Sequence, residues 1–268
     1  HYYRGMLRGE SQTEFVDRIV HNLESMIVRE GPDTIAAFIA EPITGASGVI
    51  VPPADYYSKV QKVLNKYDIM FWADEVITGF GRTGNDFGCT TMGIDSPDMM
   101  TFAKQLSSAY MPISASAIRR EMYDAMIEQS ANVGAFGHGY TYSGHPVACA
   151  VALKTLEIYT RDSIFEKATV TGEYMQKRLA EFVDHPLVGE VRGKGLLGAL
   201  ELVANKETGQ AFEGGAVGGY AQKSAQDNGL LIRAVAGSSL GLCPPLIITT
   251  AQIDEMIAKV SITLDKTW

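Results

Sequence analysis

The chain has 268 residues, 46% hydrophobic and 20% charged, with a formal net charge of −8, the profile of a globular protein with room for a substantial core. Its 23 Lys and Arg residues are scattered and outnumbered by 31 Asp and Glu, so no basic surface suited to a nucleic-acid backbone is expected. No apolar stretch approaches the roughly 20 residues that a membrane-spanning helix needs.

In chain order, Ser11-Gln12-Thr13-Glu14 has the pattern of a capping box, and Phe15, Ile19, Leu23, Met26 and Ile27 then recur at helical spacing, which predicts a helix over about 12–29. The short apolar run 34–42, the periodic segment 54–68 and the apolar run 69–74 read as strand, helix, strand. Residues 98–103 and 113–118 add two more strands. Buried strands alternating with helices predict an α/β fold whose sheet is mostly parallel, with ligands at the carboxyl ends of the strands. From residue 146 the texture changes to amphipathic helices over about 146–160 and 163–183. A strand pair follows over 190–203 with its turn at Gly193-Lys194-Gly195, then a helix near 216–228, strands in 230–235 and 240–248, and a last helix opened by Thr249 and Gln252. The expected division is a large domain over 1–150 and a small α+β domain over 151–268.

Cys89, Cys149 and Cys243 are odd in number, far apart and in no metal-ligand spacing, so buried thiols in a reducing cytoplasm are expected rather than a disulfide framework. The opening HYYRGMLRGE has no signal-peptide core, and the start at His1 suggests that an N-terminal portion is absent. His138 and His145, seven residues apart with no third ligand, read as packing or interface residues, and no metal is expected.

The stretch IMFWADEVITGFGRTG, 69–84, drives Asp74 and Glu75 to the tip of a strand that reads as fully buried, where an unpaired charge is costly. A positive partner is expected there. The next strand delivers Lys104 to the same edge.

These segments resemble the class III (omega-amino acid) aminotransferases, pyridoxal 5′-phosphate enzymes of fold type I. The matching pieces are EPITGASGVIVPP (41–53), ADEVITGFGRTG (73–84), AKQLSSAYMPISA (103–115), HGYTYSGHP (138–146) and VRGKGL (191–196), in the family's order and spread over most of the chain. The resemblance implies the cofactor pyridoxal 5′-phosphate, with Asp74 as the carboxylate that keeps its ring nitrogen protonated. Val76 would pack on the ring face. Lys104 would attach the cofactor covalently and then serve as the base that moves the substrate proton. Thr141 would reach the cofactor phosphate of a neighbouring subunit, which implies a homodimer. Arg233 would bind the substrate carboxylate. Ser143 is expected to cap the helix at Pro146, Glu75 to pair within the protein, and Arg192 to be structural, tied to Glu190 or a backbone carbonyl.

Two departures refine the resemblance. Gln105 stands where the family usually has Gly. Ala46 stands where relatives acting on ornithine or 4-aminobutyrate carry a Glu that pairs with the arginine. That pattern favours transfer between an amine or an omega- or beta-amino acid and a keto acid such as pyruvate, by a ping-pong aldimine mechanism. The alternatives are another fold type I enzyme (decarboxylase, aminomutase or racemase) or a non-catalytic truncated homologue acting through its dimer surface. The family's phosphate-cradling Gly-Ser segment and its ring-stacking aromatic residue are not found in the chain.

Overall fold

The computed structural model describes residues 2–268. After a single turn, α1 (Tyr2–Gly5), the predicted capping box closes as expected: the Ser11 hydroxyl accepts from the Glu14 amide and the Glu14 carboxylate accepts from the Ser11 amide at the head of α2 (Gln12–Glu30). Phe15, Val16, Val20 and Ile27 of α2 share one core with Val60 and Leu64 of α3 (Tyr56–Lys66). That core lies against β1 (Ala37–Ala40) and β2 (Met70–Asp74) through Phe38, Phe71 and Ala73. The short α4 (Gly88–Met92), β3 (Met99–Phe102) and β4 (Ala115–Ile118) complete the first sheet, in the order β1-β2-β3-β4. β1, β2 and β3 are parallel, with Phe38 opposite Phe71 and Ala73 opposite Met100, and β4 closes the edge antiparallel to β3. The expected mostly parallel sheet is therefore present. β2 is not buried on both faces, however: Phe71 and Ala73 are buried, whereas Met70, Trp72 and Asp74 on the opposite face remain partly open.

α5 (Arg120–Val133) was not foreseen, and it buries none of its residues. α6 (Pro146–Arg161) and α7 (Ile164–Leu179) then lead to a second, antiparallel sheet of order β5-β6-β8-β7. It consists of β5 (Val188–Lys194), β6 (Leu197–Leu202), β7 (Arg233–Val235) and β8 (Ser239–Leu242). α8 (Ala216–Asp227) and α9 (Thr250–Thr267) cover it, α9 opening on the predicted Thr249–Gln252 capping box. Met175 and Leu179 of α7, Leu200 and Leu202 of β6, Leu240 of β8 and Ile253 and Val260 of α9 form the second core. Residues 150 and 151, where the sequence suggested a division, lie inside α6.

Three local expectations need correction. The β5–β6 turn falls at Gly195-Leu196, slightly later than expected. β8 ends at Leu242 because Pro244 and Pro245 have no amide to donate. The cap of α6 is His145, whose Nδ1 accepts from the Val147 amide at 3.2 Å; Ser143 lies too early in the chain to reach and accepts from Tyr140 N at 3.0 Å. Of the three free cysteines only Cys89 is buried; Cys149 is partly buried, and Cys243, beside Pro244 just beyond β8, is exposed. Among the described residues no helix is long and apolar enough to cross a membrane.

The two sheets are joined by buried polar contacts. Arg192 of β5, 8% exposed, donates through Nε and Nη2 to the Gly48 carbonyl at 2.8 and 2.6 Å. It also pairs with Glu190 and Glu201, each at 2.7 Å, and Nη2 donates to Ser239 Oγ at 2.8 Å. The structural role expected for Arg192 is the one it plays, from within a strand rather than a turn.

Candidate active site

Parallel pairing sets the geometry. Asp74, the last residue of β2, stands opposite Thr101 of β3, and Glu75 N donates to the Thr101 carbonyl at 3.0 Å. Lys104 follows Thr101 by three residues, at the start of a 3-10 turn over Lys104–Leu106. The two side chains therefore leave neighbouring strands at one carboxyl edge, where open α/β sheets place their ligands. Phe80 in the loop after Asp74, Phe87 before α4 and Phe102 just before Lys104 pack as a triad with ring centroids 5.6 to 5.7 Å apart, fixing one strand end against the other.

The adjacent carboxylates have different surroundings. Glu75 is fully buried and accepts from Thr78 Oγ1 at 2.6 Å, Gly88 N at 2.9 Å and Cys89 N at 2.7 Å. Its compensation is a hydroxyl and the amides at the head of α4, not a cation. Burial, with Glu75 nearby, pushes the Cys89 thiol well above its ordinary pKa. Asp74 is partly buried, and Oδ1 accepts only from the Val76 amide at 3.0 Å. Among the described residues no side-chain cation pairs with it, so an acceptor with spare capacity remains at the strand end.

Lys104 is exposed, with no hydrogen bond or ion pair at Nζ among the described residues, and its φ of +44° lies in the left-handed region. For a residue with a Cβ that conformation costs about 1–2 kcal/mol. Phe80, Ser108 and Ala109 share positive φ, so strained backbone gathers on the two loops that leave this edge. Gln105 is tied at both ends. Its carbonyl accepts from Tyr159 Oη at 2.8 Å, and its carboxamide is assigned with the oxygen toward Arg82, since the reverse orientation sets donor against donor; the oxygen then accepts from Nε and Nη2 at 2.9 Å each.

Arg82 is the residue that sequence reasoning passed over. It is 6% exposed, forms no ion pair among the described residues, and sends Nη1 to the carbonyls of Leu196 at 3.0 Å and Pro244 at 2.5 Å. Burial pulls its pKa below the ordinary arginine value. The signal was present in GFGRTG, a single charge inside an otherwise uncharged glycine-rich stretch.

The remaining sequence candidates are more dispersed. Val76, half-buried, sits beside Asp74. Thr141 lies in an exposed segment, 134–145, with no side-chain hydrogen bond among the described residues. Arg233 opens β7, exposed and unpaired among the described residues, and Ala46 lies exposed in the loop that Arg192 holds. His138 packs edge-on against Phe136 and Tyr140. No group of three or more metal-ligating side chains occurs among the described residues.

The sequence profile of the family Aminotransferase class-III matches residues 4–264. The chain belongs to the class III aminotransferases. It is 49% identical over 261 residues to gamma aminobutyrate transaminase 3, chloroplastic, of Solanum lycopersicum, covering 97% of this chain and 50% of that protein. It is 46% identical over 258 residues to vanillin aminotransferase of Capsicum chinense, covering 96% and 56%. The chain thus spans about half the length of the curated relatives it matches. A solved structure described as a transaminase with L-alanine superposes with a TM-score of 0.97 at 49% identity, over 99% of this chain and 62% of that one. The omega transaminase of Pseudomonas jessenii in complex with PMP gives a TM-score of 0.97 at 48% identity, over 100% and 59%. The fold is that of fold type I transferases, and the family uses pyridoxal 5′-phosphate. The residues present fit that group: a carboxylate without a cation and an unpaired amine rise from adjacent strand ends.

Proposed function

We propose that the protein carrying this chain is a pyridoxal-phosphate transaminase that moves an amino group from an amine or an omega- or beta-amino acid to a keto acid such as pyruvate, in two half-reactions. One observation carries the reading: Asp74, lacking any cationic partner among the described residues, and Lys104, with a free Nζ, leave adjacent parallel strands at one edge. The cofactor supplies an electron sink for the bond broken at the substrate carbon.

The chain's residues supply the rest. Asp74 would hold the cofactor's ring nitrogen protonated by charge pairing, with its carboxylate oriented by the Val76 amide. The Val76 side chain would pack against the cofactor. Lys104 would be the residue that attaches it through Nζ and the base available to move a proton at the substrate carbon. Arg233 binds the substrate carboxylate with its planar fork; unpaired in the structure and with Ala46 rather than an acid in the 45–48 loop, it is free to turn aside for a substrate that has none. Thr141 would donate from Oγ1 to the cofactor phosphate of a partner subunit in a homodimer. Free thiols at Cys89, Cys149 and Cys243 support a reducing compartment such as the cytoplasm.

The test is the visible spectrum of the intact protein. An absorption band that bleaches on adding an amine and returns with pyruvate is the expected result. Lys104→Ala should leave no band that survives gel filtration as a covalent species; a persistent covalent band in that variant would overturn the assignment.

A further inference from the structure

Arg82 and Gln105 have no place in the reaction as set out above, yet they account for the least relaxed residue in the site. A buried guanidinium with no carboxylate is costly unless its donors are all engaged. Arg82 meets most of that demand with neutral oxygens: Nη1 to Leu196 O and Pro244 O, and Nε and Nη2 to the Gln105 carboxamide oxygen. Gln105 follows Lys104 directly, and its own carbonyl accepts from Tyr159 Oη on α6 at 2.8 Å. The residue after Lys104 is thus held through its side chain by a loop and through its carbonyl by a helix. Nothing within the lysine favours φ of +44°, and its side chain makes no bond that would hold it there.

We infer that Arg82 and Tyr159, acting through Gln105, are positioning residues: they hold the Lys104 backbone in its left-handed conformation and so aim the amine across the end of β2 where Asp74 stands. The clamp also ties the lysine to the second sheet, since Arg82 is anchored on Leu196 beside β6 and on Pro244 beyond β8. The inference rests on the reading of Lys104 as the cofactor's attachment point. It gives Gln105 a task that a glycine, with no carboxamide, could not perform.

The experiment follows attachment rather than turnover. The intact protein, stripped of cofactor, is mixed with pyridoxal 5′-phosphate, quenched with borohydride at intervals, and the reduced adduct is located by peptide mass. Gln105→Ala should attach cofactor at Lys104 about tenfold more slowly or worse, the scale expected when a reacting group is displaced by a fraction of an ångström to an ångström, and its thermal midpoint should fall, because two buried Arg82 donors lose their acceptor. Tyr159→Phe should slow attachment less. Gln105→Glu, whose carboxylate accepts both Arg82 donors, should recover the wild-type rate. Wild-type kinetics in Gln105→Ala with the adduct still on Lys104 would overturn the clamp and leave the lysine assignment standing. An adduct on some other residue in the wild type would overturn both. A slow Gln105→Ala with a lowered thermal midpoint and no recovery in Gln105→Glu would reduce Gln105 to a general stability role and overturn the clamp.

Discussion

At the scale of single residues, two neighbours in sequence, Asp74 and Glu75, show how placement decides what a carboxylate does. Glu75 is satisfied by Thr78 and the head of α4. Asp74 keeps unused acceptor capacity at the sheet edge. Arg233 is the matching case of a cation held in reserve. If Arg233 binds the substrate carboxylate as proposed, Arg233→Ala removes a charge-assisted contact of about 1.5–3 kcal/mol, so kcat/KM for pyruvate should fall roughly 10- to 100-fold while that for a simple primary amine changes little. Equal losses for both would count against its proposed role. The strand ends that carry Asp74 and Lys104 were legible in the sequence because each apolar run closes on or just before the charged residue. The Gln105–Arg82 contact was not, because a hydrogen bond between two loops leaves no periodicity in either. His145 escaped for a simpler reason: a hydroxyl was expected at the cap, and the imidazole directly before Pro146 does the same work.

Among elements, α7 meets the second sheet backbone to backbone. A Cβ on Gly172 of α7 would meet Gly195 Cα at 2.7 Å, and one on Gly195, at φ +57°, would meet the backbone of Thr83 at 2.4 Å. Helix, turn and the loop bearing Arg82 are stacked backbone on backbone. Gly172→Ala should therefore destabilise by about 1–3 kcal/mol, read by denaturant unfolding, despite the better helix propensity of alanine. A stabilised variant would refute the packing. Glu201 of β6 gives a second prediction. Burial raises its pKa, but the hydrogen bond from Ser239 and pairing with Arg4 and Arg192 outweigh that, leaving it below the ordinary glutamate value. The folded state then binds fewer protons at this site than the unfolded one, so the contribution to stability is complete above the unfolded value near pH ~4.5 and is lost as pH falls through the folded pKa. Glu190, on the same arginine, is shifted the other way, because burial outweighs Arg192 there. Glu201→Gln should cost about 3 kcal/mol at pH 7, and its deficit against wild type should narrow on acidification; a deficit constant from pH 7 to pH 3 would show that charge is not involved. Helices with local caps, α2 and α9, could be read directly from the chain. α5 was not read, although Met122 and Met126 recur at helical spacing, and it has no side-chain cap to mark its start.

For the whole molecule, exposed apolar side chains gather around Thr141. Val133, Phe136, Tyr140, Tyr142 and Val147 are 54 to 80% exposed, an unusual concentration for a surface that meets only water. In the proposed homodimer this segment lies at the subunit boundary, so Tyr142→Glu should shift the intact protein from dimer to monomer in sedimentation at micromolar concentration. A dimer that persists unchanged would place the boundary elsewhere.

The reach of Arg192 to Gly48 has a thermal consequence. Its guanidinium is shared between the second sheet and the 44–50 loop that precedes α3, so pulling the halves apart would leave the arginine with Glu190, Glu201 and Ser239 on one side and two bare carbonyls, of Gly48 and Val49, on the other. Neither half can melt first without exposing the fracture in the other. Calorimetry should accordingly record one endotherm for both sheets, and a variant lacking the arginine should be the one in which the trace splits.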